Sequence, residues 1–102
     1  HKDFYIQKNI DNSSWFGFSF IIKPESTLDR AEIVKKLEAN QIDCRPIVTG
    51  DFTKNEVLKH FDYEIFGEMK NAQYLDKKGF FVGNHQVDLT QEIHHLFEVL
   101  KF

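Results

Sequence analysis

Two groups of residues in this 102-residue chain carry side chains that could take part in chemistry. Arg45 ends an apolar run just before a proline, and a guanidinium held there could pair with a phosphate or carboxylate. Asn84 and His85 follow the apolar run 79–83, at a strand end where α/β folds tend to present ligand-binding groups. Structural roles without a ligand remain open. Arg45 could be a surface arginine of an edge strand, and Asn84 and His85 could form the turn before a helix.

Sequence motifs for catalysis or metal binding are missing. The chain has no Ser/His/Asp motif, nucleophile elbow or phosphate-binding loop. Its single cysteine, Cys44, has no helix N-terminus to activate it and is predicted to be a structural thiol. The five histidines include no pair at i, i+4 spacing, and the adjacent His94 and His95 point in different directions. We therefore expect no metal site.

The segment Lys78–Phe80 matches the start of the aromatic strand motif of RNA-recognition modules. Phe81 occupies the position where that motif needs Gly or Ala, and Asn84 lies where a shifted pattern would need an aromatic residue. The net charge of −3 gives no general electrostatic attraction for nucleic acid. We therefore predict that nucleic acid is not a partner.

The size and composition are those of one globular domain. A chain of 102 residues with 41% hydrophobic and 15% aromatic residues can form a packed core. No run approaches the roughly 20 apolar residues of a membrane span, so no membrane partner is expected. The single cysteine excludes an internal disulfide and fits a reducing, cytoplasmic location. Any of the eleven phenylalanines left outside the core would form a patch of the kind that marks docking surfaces.

The elements that must position these residues alternate between strands and helices. Strands are predicted at 15–23, 42–48 and 79–83, and Phe16, Phe18, Phe20 and Ile22 are expected to face the core. Helices are predicted after a cap at Ser26 or Thr27, around 55–61 and 69–75, and up to residue 100 after a start at Asp88 or Thr90.

This order predicts an α/β two-layer sandwich. We expect a small, mainly antiparallel sheet of about three strands with helices packed on one face. Residues 1–13 are polar and are predicted to be an irregular lead-in to a single domain spanning 14–102.

Several separated motifs, taken together, resemble a known family. They occur in one order and spacing from Ser14 to the end of the chain. In this combination the chain resembles the C-terminal small domain of the DegT/StrS family of pyridoxal-phosphate-dependent sugar aminotransferases. Within that family it is most similar to the branch of the nucleotide-sugar 3-dehydratases. The motifs are Ser14–Phe18, Ile42–Phe52, Asn71–Ala72, Gly79–His85 and Asp88–Thr90.

The resemblance implies that the chain is one piece of a longer fold-type-I enzyme, which would fit its start at His1. The full enzyme would be a homodimer whose own N-terminal large domain binds most of the pyridoxal phosphate. It would act on a nucleotide-linked 4-keto-6-deoxyhexose in deoxysugar or lipopolysaccharide biosynthesis, as an aminotransferase or a 3-dehydratase. The catalytic lysine or histidine of the family belongs to the large domain, so no catalytic residue is expected here and the piece alone should be inactive.

The resemblance also implies a set of substrate-binding residues around two loops. Two departures from the family pattern bear on the first loop: Asp51 replaces the usual asparagine, and residues 54–56 replace an arginine-glutamine-proline sequence. The pair after the last strand matches the aminotransferase-like members, which favours aminotransfer over dehydration. The implied substrate-binding residues are Arg45, Gly50, Asp51, Phe52, Asn84 and His85.

The alternative function is a free-standing α/β binding or adaptor module without catalysis. The boundary of the gene would distinguish the two hypotheses, because the enzyme requires a long coding sequence upstream of His1.

Overall fold

The structure is a computed structural model, and it describes residues 1–101. Its regular elements alternate along the chain, with two short 3₁₀ helices at Phe52–Lys54 and Glu56–His60. No helix among the described residues is long and apolar enough to cross a membrane. The strands are β1 (Phe4–Ile6), β2 (Gly17–Ile22), β3 (Cys44–Pro46) and β4 (Gly79–Gly83), and the helices are α1 (Arg30–Ala39), α2 (Lys70–Lys78) and α3 (Thr90–Val99).

The strands form one antiparallel sheet in the order β1-β2-β4-β3. The predicted α/β class with a small antiparallel sheet is confirmed, with four strands in place of about three. The prediction of an irregular lead-in at 1–13 was wrong for Phe4–Ile6, which pairs with β2. Phe4 is only 1% exposed, so the core begins within those first residues.

The core lies on one face of the sheet, here called the inner face. Side chains alternate along each strand, so Phe20 and Phe80, which are register partners, both point inward. Their rings stack with centroids 5.3 Å apart, and both side chains are fully buried. Helices α1 and α3 cover this face with Ile33, Leu37, Leu96, Val99 and Leu100.

A bend at Phe16 changes the direction of two aromatic side chains. Phe16 was predicted to face the core, but it is 85% exposed and contacts Phe81 on the opposite face. Trp15 instead stacks on the inward-facing Phe18, with ring centroids 5.7 Å apart. The strand begins only at Gly17, and side-chain alternation holds only within a strand.

Side-chain contacts fix the helices that flank the site loops. Asp29, and not Ser26 or Thr27, caps α1 by accepting hydrogen bonds from the N–H groups of its first turn. The guanidinium of Arg30 in α1 donates to the carbonyls of Asp76 and Gly79, which ties α1 to the α2–β4 junction.

Candidate functional site

Arg45 lies in β3 on the face of the sheet opposite the core, here called the outer face. Its register partner in β4 is Phe81, and register partners in an antiparallel pair share a face. The side chain is exposed, and within residues 1–101 its guanidinium has no hydrogen bond or ion pair. Because β3 is an edge strand, Arg45 is open to an anionic group from outside the chain.

The loop after β3 is built around its own polar groups. Asp51 is only 3% exposed, and its Oδ1 accepts hydrogen bonds from the backbone N–H of Thr53, at 3.0 Å, and from the Thr53 hydroxyl. Gly50 has a φ of 54°, and a Cβ there would collide with the carboxylate of Asp76. Phe52 is 45% exposed. The carboxylate of Asp51 therefore holds the turn, and the substrate role of this loop stays a prediction.

An ion pair that the sequence did not reveal anchors this loop to α2. Lys54 Nζ donates to Asp76 Oδ2 at 2.7 Å. The hydrogen bond from Lys54, with a second from the backbone N–H of Asp51, lowers the pKa of Asp76. The same hydrogen bond raises the pKa of Lys54. The partners are 22 residues apart, so no local spacing could have predicted the pair.

Asn84 shapes the chain as it leaves β4. Its Nδ2 donates to the carbonyl of Trp15 at 2.7 Å, and its Oδ1 accepts from the backbone N–H of His85 at 3.0 Å. The imidazole of His85 is exposed and has no hydrogen bond within the described residues. Asn84 thus fixes the conformation of the chain after β4. Of the two side chains, His85 is the one that is available to hydrogen-bond a ligand.

Asn84 also lines a cleft of about 830 Å³ between the N-terminal segment, the end of β4 and α3. Its walls are mostly apolar, and Trp15, Leu89 and Ile93 contribute to it, none of which the sequence suggested as site residues. The volume is in the range of small-molecule pockets, although the cleft is open along one side. The apolar lining comes from Ile6, Trp15, Phe18, Ile42, Val82, Leu89, Ile93 and Leu96.

Within residues 1–101, the predicted site residues do not lie together in one pocket. Pro46 pairs with Phe80, so the loop with Gly50 leaves the sheet near the start of β4. Asn84 follows the end of β4. Arg45 lies on the outer face, whereas the cleft beside Asn84 opens on the side of α3. Arg45, the Gly50 loop and Asn84 could therefore contact one ligand only if a further protein surface completed the site between them.

The lone thiol has the environment of a structural cysteine. Burial raises the pKa of Cys44, with smaller contributions from the nearby carboxylates of Glu38 and Asp43. A raised pKa keeps the thiol protonated and weakly nucleophilic, which supports the predicted structural role. Residues 1–101 hold no group of three or more His, Cys, Asp or Glu side chains placed to bind a metal ion.

The 830 Å³ cleft does not have the lining of a complete pyridoxal phosphate site. The aldehyde of this cofactor condenses with a primary amine, and its phosphate needs a polar or cationic cradle. The cleft is lined by no lysine or arginine. It therefore offers neither the amine for the aldehyde nor a cation for the phosphate.

Comparison with known proteins gives specific relatives. The chain is 57% identical over 102 residues to a GDP-4-keto-6-deoxy-D-mannose 3-dehydratase of Yersinia pseudotuberculosis, covering 99% of this chain and 26% of that enzyme. It superposes with a TM-score of 0.95, at 54% identity, on the structure of the E. coli GDP-4-keto-6-deoxy-D-mannose-3-dehydratase with bound hydrated PLP; the match covers 99% of this chain and 26% of that one. The lipopolysaccharide biosynthesis protein RfbH of Salmonella typhimurium is 26% identical over 83 residues, 81% of this chain and 19% of its own length. No protein-family model matches the chain.

These relatives confirm the resemblance to the 3-dehydratase branch, and the chain spans about a quarter of their length. The relative at 57% identity is a 3-dehydratase, so it does not support the inference of an aminotransferase from Asn84 and His85. Asn84 hydrogen-bonds to the carbonyl of Trp15 within the domain, which gives it a structural role that does not depend on the reaction.

Proposed function

We propose that this chain, a homologue of one segment of the GDP-4-keto-6-deoxymannose 3-dehydratases, is the small domain of such a pyridoxal-phosphate-dependent enzyme. The whole protein would remove the 3-hydroxyl of a GDP-linked 4-keto-6-deoxyhexose. The observation that carries the proposal is the high identity to dehydratases over nearly the whole chain, together with the matching fold.

The residues of this chain would act at the rim of the site. Arg45 is an exposed cation with no partner in the described residues, suited to a phosphate or carboxylate group. The exposed imidazole of His85 could donate or accept one hydrogen bond to the substrate. The cofactor and the group that moves the proton at the reacting carbon would come from the rest of the polypeptide.

The proposal also covers the pathway, the location and the partners of the whole protein. It would serve deoxysugar synthesis for lipopolysaccharide, which the name of the Salmonella relative supports. We place it in the cytoplasm, as the lone thiol suggests, and as a homodimer, as the family resemblance implies. Its partners would be its own large domain and a nucleotide sugar.

The test is the product formed by the full-length gene product. The protein would be incubated with GDP-4-keto-6-deoxymannose, pyridoxal phosphate and an amino acid as amine donor, and the sugar nucleotide would be analysed by NMR and mass spectrometry. We expect a sugar that lacks the oxygen at carbon 3. A product that keeps this oxygen and carries nitrogen at carbon 4 would establish an aminotransferase and overturn the proposal, as would unchanged substrate.

A further inference from the structure

The loop after β3 lies directly against the junction of α2 and β4. A Cβ on Gly50 would collide with the carboxylate of Asp76 and would lie 2.9 Å from its Cα. A Cβ on Gly79, the first residue of β4, would lie 2.6 Å from Cγ1 of Ile47. Approaches this close require a glycine on one side of each contact. The two glycines therefore set how near the loop lies to the helix and the strand.

The carboxylate of Asp76 occupies the space beside Gly50 and binds the loop at two points. Its Oδ2 accepts a hydrogen bond from Lys54 Nζ at 2.7 Å, and the carboxylate also accepts from the backbone N–H of Asp51. Asp51 comes directly before the 3₁₀ helix Phe52–Lys54, and Lys54 is its last residue. One side chain of α2 thus holds both ends of this short helix.

Asp76 is in turn fixed by the start of α1. Nη1 of Arg30, the first residue of α1, donates to the carbonyl of Asp76 at 2.7 Å. The same nitrogen donates to the carbonyl of Gly79 at 3.2 Å. The loop is therefore connected through one carboxylate to two helices and to the first residue of β4.

The loop that these contacts hold presents an aromatic ring to solvent. Phe52 is 45% exposed, although Asp51 next to it is only 3% exposed. A loop that is fixed on a rigid scaffold and exposes a large side chain is typical of a binding loop.

The fold itself depends little on the ion pair of Asp76. The Lys54 side chain is 61% exposed and that of Asp76 is 32% exposed, and ion pairs open to solvent contribute little to stability. The core lies elsewhere, between α1, α3 and the inner face of the sheet. The main consequence of the pair is therefore the position of the loop.

We propose that Asp76 is a positioning residue for the nucleotide sugar, because its carboxylate fixes the 3₁₀ helix that presents Phe52. The proposal rests on the proposed function and adds a residue outside the set that the sequence implied. Asp76 acts through the loop and does not contact the substrate, since Lys54 and the N–H of Asp51 occupy its carboxylate.

The first measurement is the steady-state kinetics of Asp76→Asn in the full-length enzyme. Asparagine keeps the size of the side chain and an oxygen for the N–H of Asp51, but it cannot form the ion pair. We expect KM for the sugar nucleotide to rise about 3-fold to 10-fold and kcat to change less than about 2-fold, as for a lost contribution to binding. A purely structural role is distinguished, because a smaller folded fraction lowers kcat and leaves KM unchanged.

Two further variants define the source of the effect. Lys54→Met removes the same ion pair from its other side, so the double variant Lys54→Met/Asp76→Asn should have the KM of Asp76→Asn alone. Glu68→Gln is the matched control, because it removes the exposed ion pair with Lys70 at the start of α2 and should leave KM unchanged. An unchanged KM in Asp76→Asn, or effects that multiply in the double variant, would overturn the proposal.

The second measurement is hydrogen–deuterium exchange of the full-length protein, which does not depend on turnover. We expect the amides of residues 51–54 to exchange several-fold faster in Asp76→Asn, with β4 and α3 unchanged. Unchanged exchange in the loop would overturn the proposal whatever the activity. Faster exchange in a protein that does not dehydrate the sugar would refute the proposed function and establish that Asp76 holds the loop.

Discussion

Among single residues, Arg45 is the one whose substitution should affect function without affecting the fold. Its side chain is exposed and has no partner within residues 1–101, so Arg45→Ala leaves no buried group unsatisfied. A hydrogen bond to a charged group contributes about 1.5–3 kcal/mol, so kcat/KM of the full-length enzyme should fall about 10-fold to 100-fold.

The control for this experiment is Lys8→Ala, which removes another exposed cation in the N-terminal segment. Arg45→Lys should recover only part of the loss if the arginine binds its anion through two parallel hydrogen bonds. Unchanged kinetics in Arg45→Ala, with an intact circular dichroism spectrum, would remove Arg45 from the site.

The ion pair between Lys54 and Asp76 predicts a pH dependence of stability. The folded-state pKa of Asp76 lies below its ordinary value of 3.8, so this stabilisation is fully present above that value and is lost as pH falls through the lower pKa. The pKa of Lys54 is raised above 10.5, so its contribution is present below that value and is lost as pH rises through the higher pKa.

The variant Asp76→Asn tests this dependence. Urea midpoints of the variant should lie below those of the wild type at neutral pH, and the two should converge as pH falls below 3.8. Asp62→Asn, at an exposed carboxylate in the loop before α2, is the control. Midpoints that differ equally at every pH would show that the substitution acts through the shape of the turn at Gly50 and not through charge.

At the scale of elements, β1 provides the sharpest contrast between neighbouring residues. Phe4 is 1% exposed, and its ring meets Phe20 and Phe80 edge-on at 5.7 and 5.9 Å. Tyr5 points to the outer face and is 51% exposed. Phe4→Ala should reduce the free energy of unfolding by about 3–5 kcal/mol, as expected for a buried phenylalanine. Tyr5→Ala should cost about 1 kcal/mol or less, including its contact with Lys23.

Chemical denaturation followed by tryptophan fluorescence of Trp15 would measure both variants. Equal losses for Phe4→Ala and Tyr5→Ala would mean that the first strand is not docked in the core. The pair thus tests whether residues 4–6 belong to the domain, which the sequence had assigned to an irregular lead-in.

Most of the elements that the sequence predicted have enough residues to show a period, and the three-residue β3 was found within the longer, mainly apolar segment 42–48. Strands β2 and β4 carry five or six residues of aromatic and branched side chains, and α1 and α3 carry apolar stripes. Strand β1 has only three residues, too few for alternation to be recognised, and its pairing depends on a partner more than ten residues away. The bend at Phe16 was missed for a related reason, because apolar side chains continue through it.

The features of the candidate site also fall into two groups, those that the sequence pattern indicates and those that only the fold reveals. Arg45, Asn84 and His85 could be proposed as candidates because polar groups at strand ends stand out from apolar runs. Asp51 is buried and accepts hydrogen bonds from Thr53, and Lys54 pairs with Asp76. Both depend on contacts that form only in the fold, so no sequence pattern predicts them.

At the scale of the whole molecule, the domain is well packed on its inner face and open on its outer face. The inner face is covered by α1 and α3, whereas the patch around Phe16, Val48 and Phe81 is accessible to water. The predicted substrate residues are spread over the rim of this open side and the loop after β4. Under the proposed function, this domain would supply the edges of a site that the rest of the polypeptide completes.

The same reasoning predicts how the 102-residue chain behaves alone. In the isolated chain the apolar patch around Phe16, Val48 and Phe81 is exposed, and two copies can shield it by pairing. We expect the isolated chain to show a weight-average mass that rises with concentration in sedimentation equilibrium. Phe16→Ser should shift this rise to higher concentration, whereas Ile10→Ser, at a residue 67% exposed outside the patch, should not. A chain that stays monomeric at the highest concentrations would show that exposed phenylalanines on this face are tolerated in water, and would contradict the prediction.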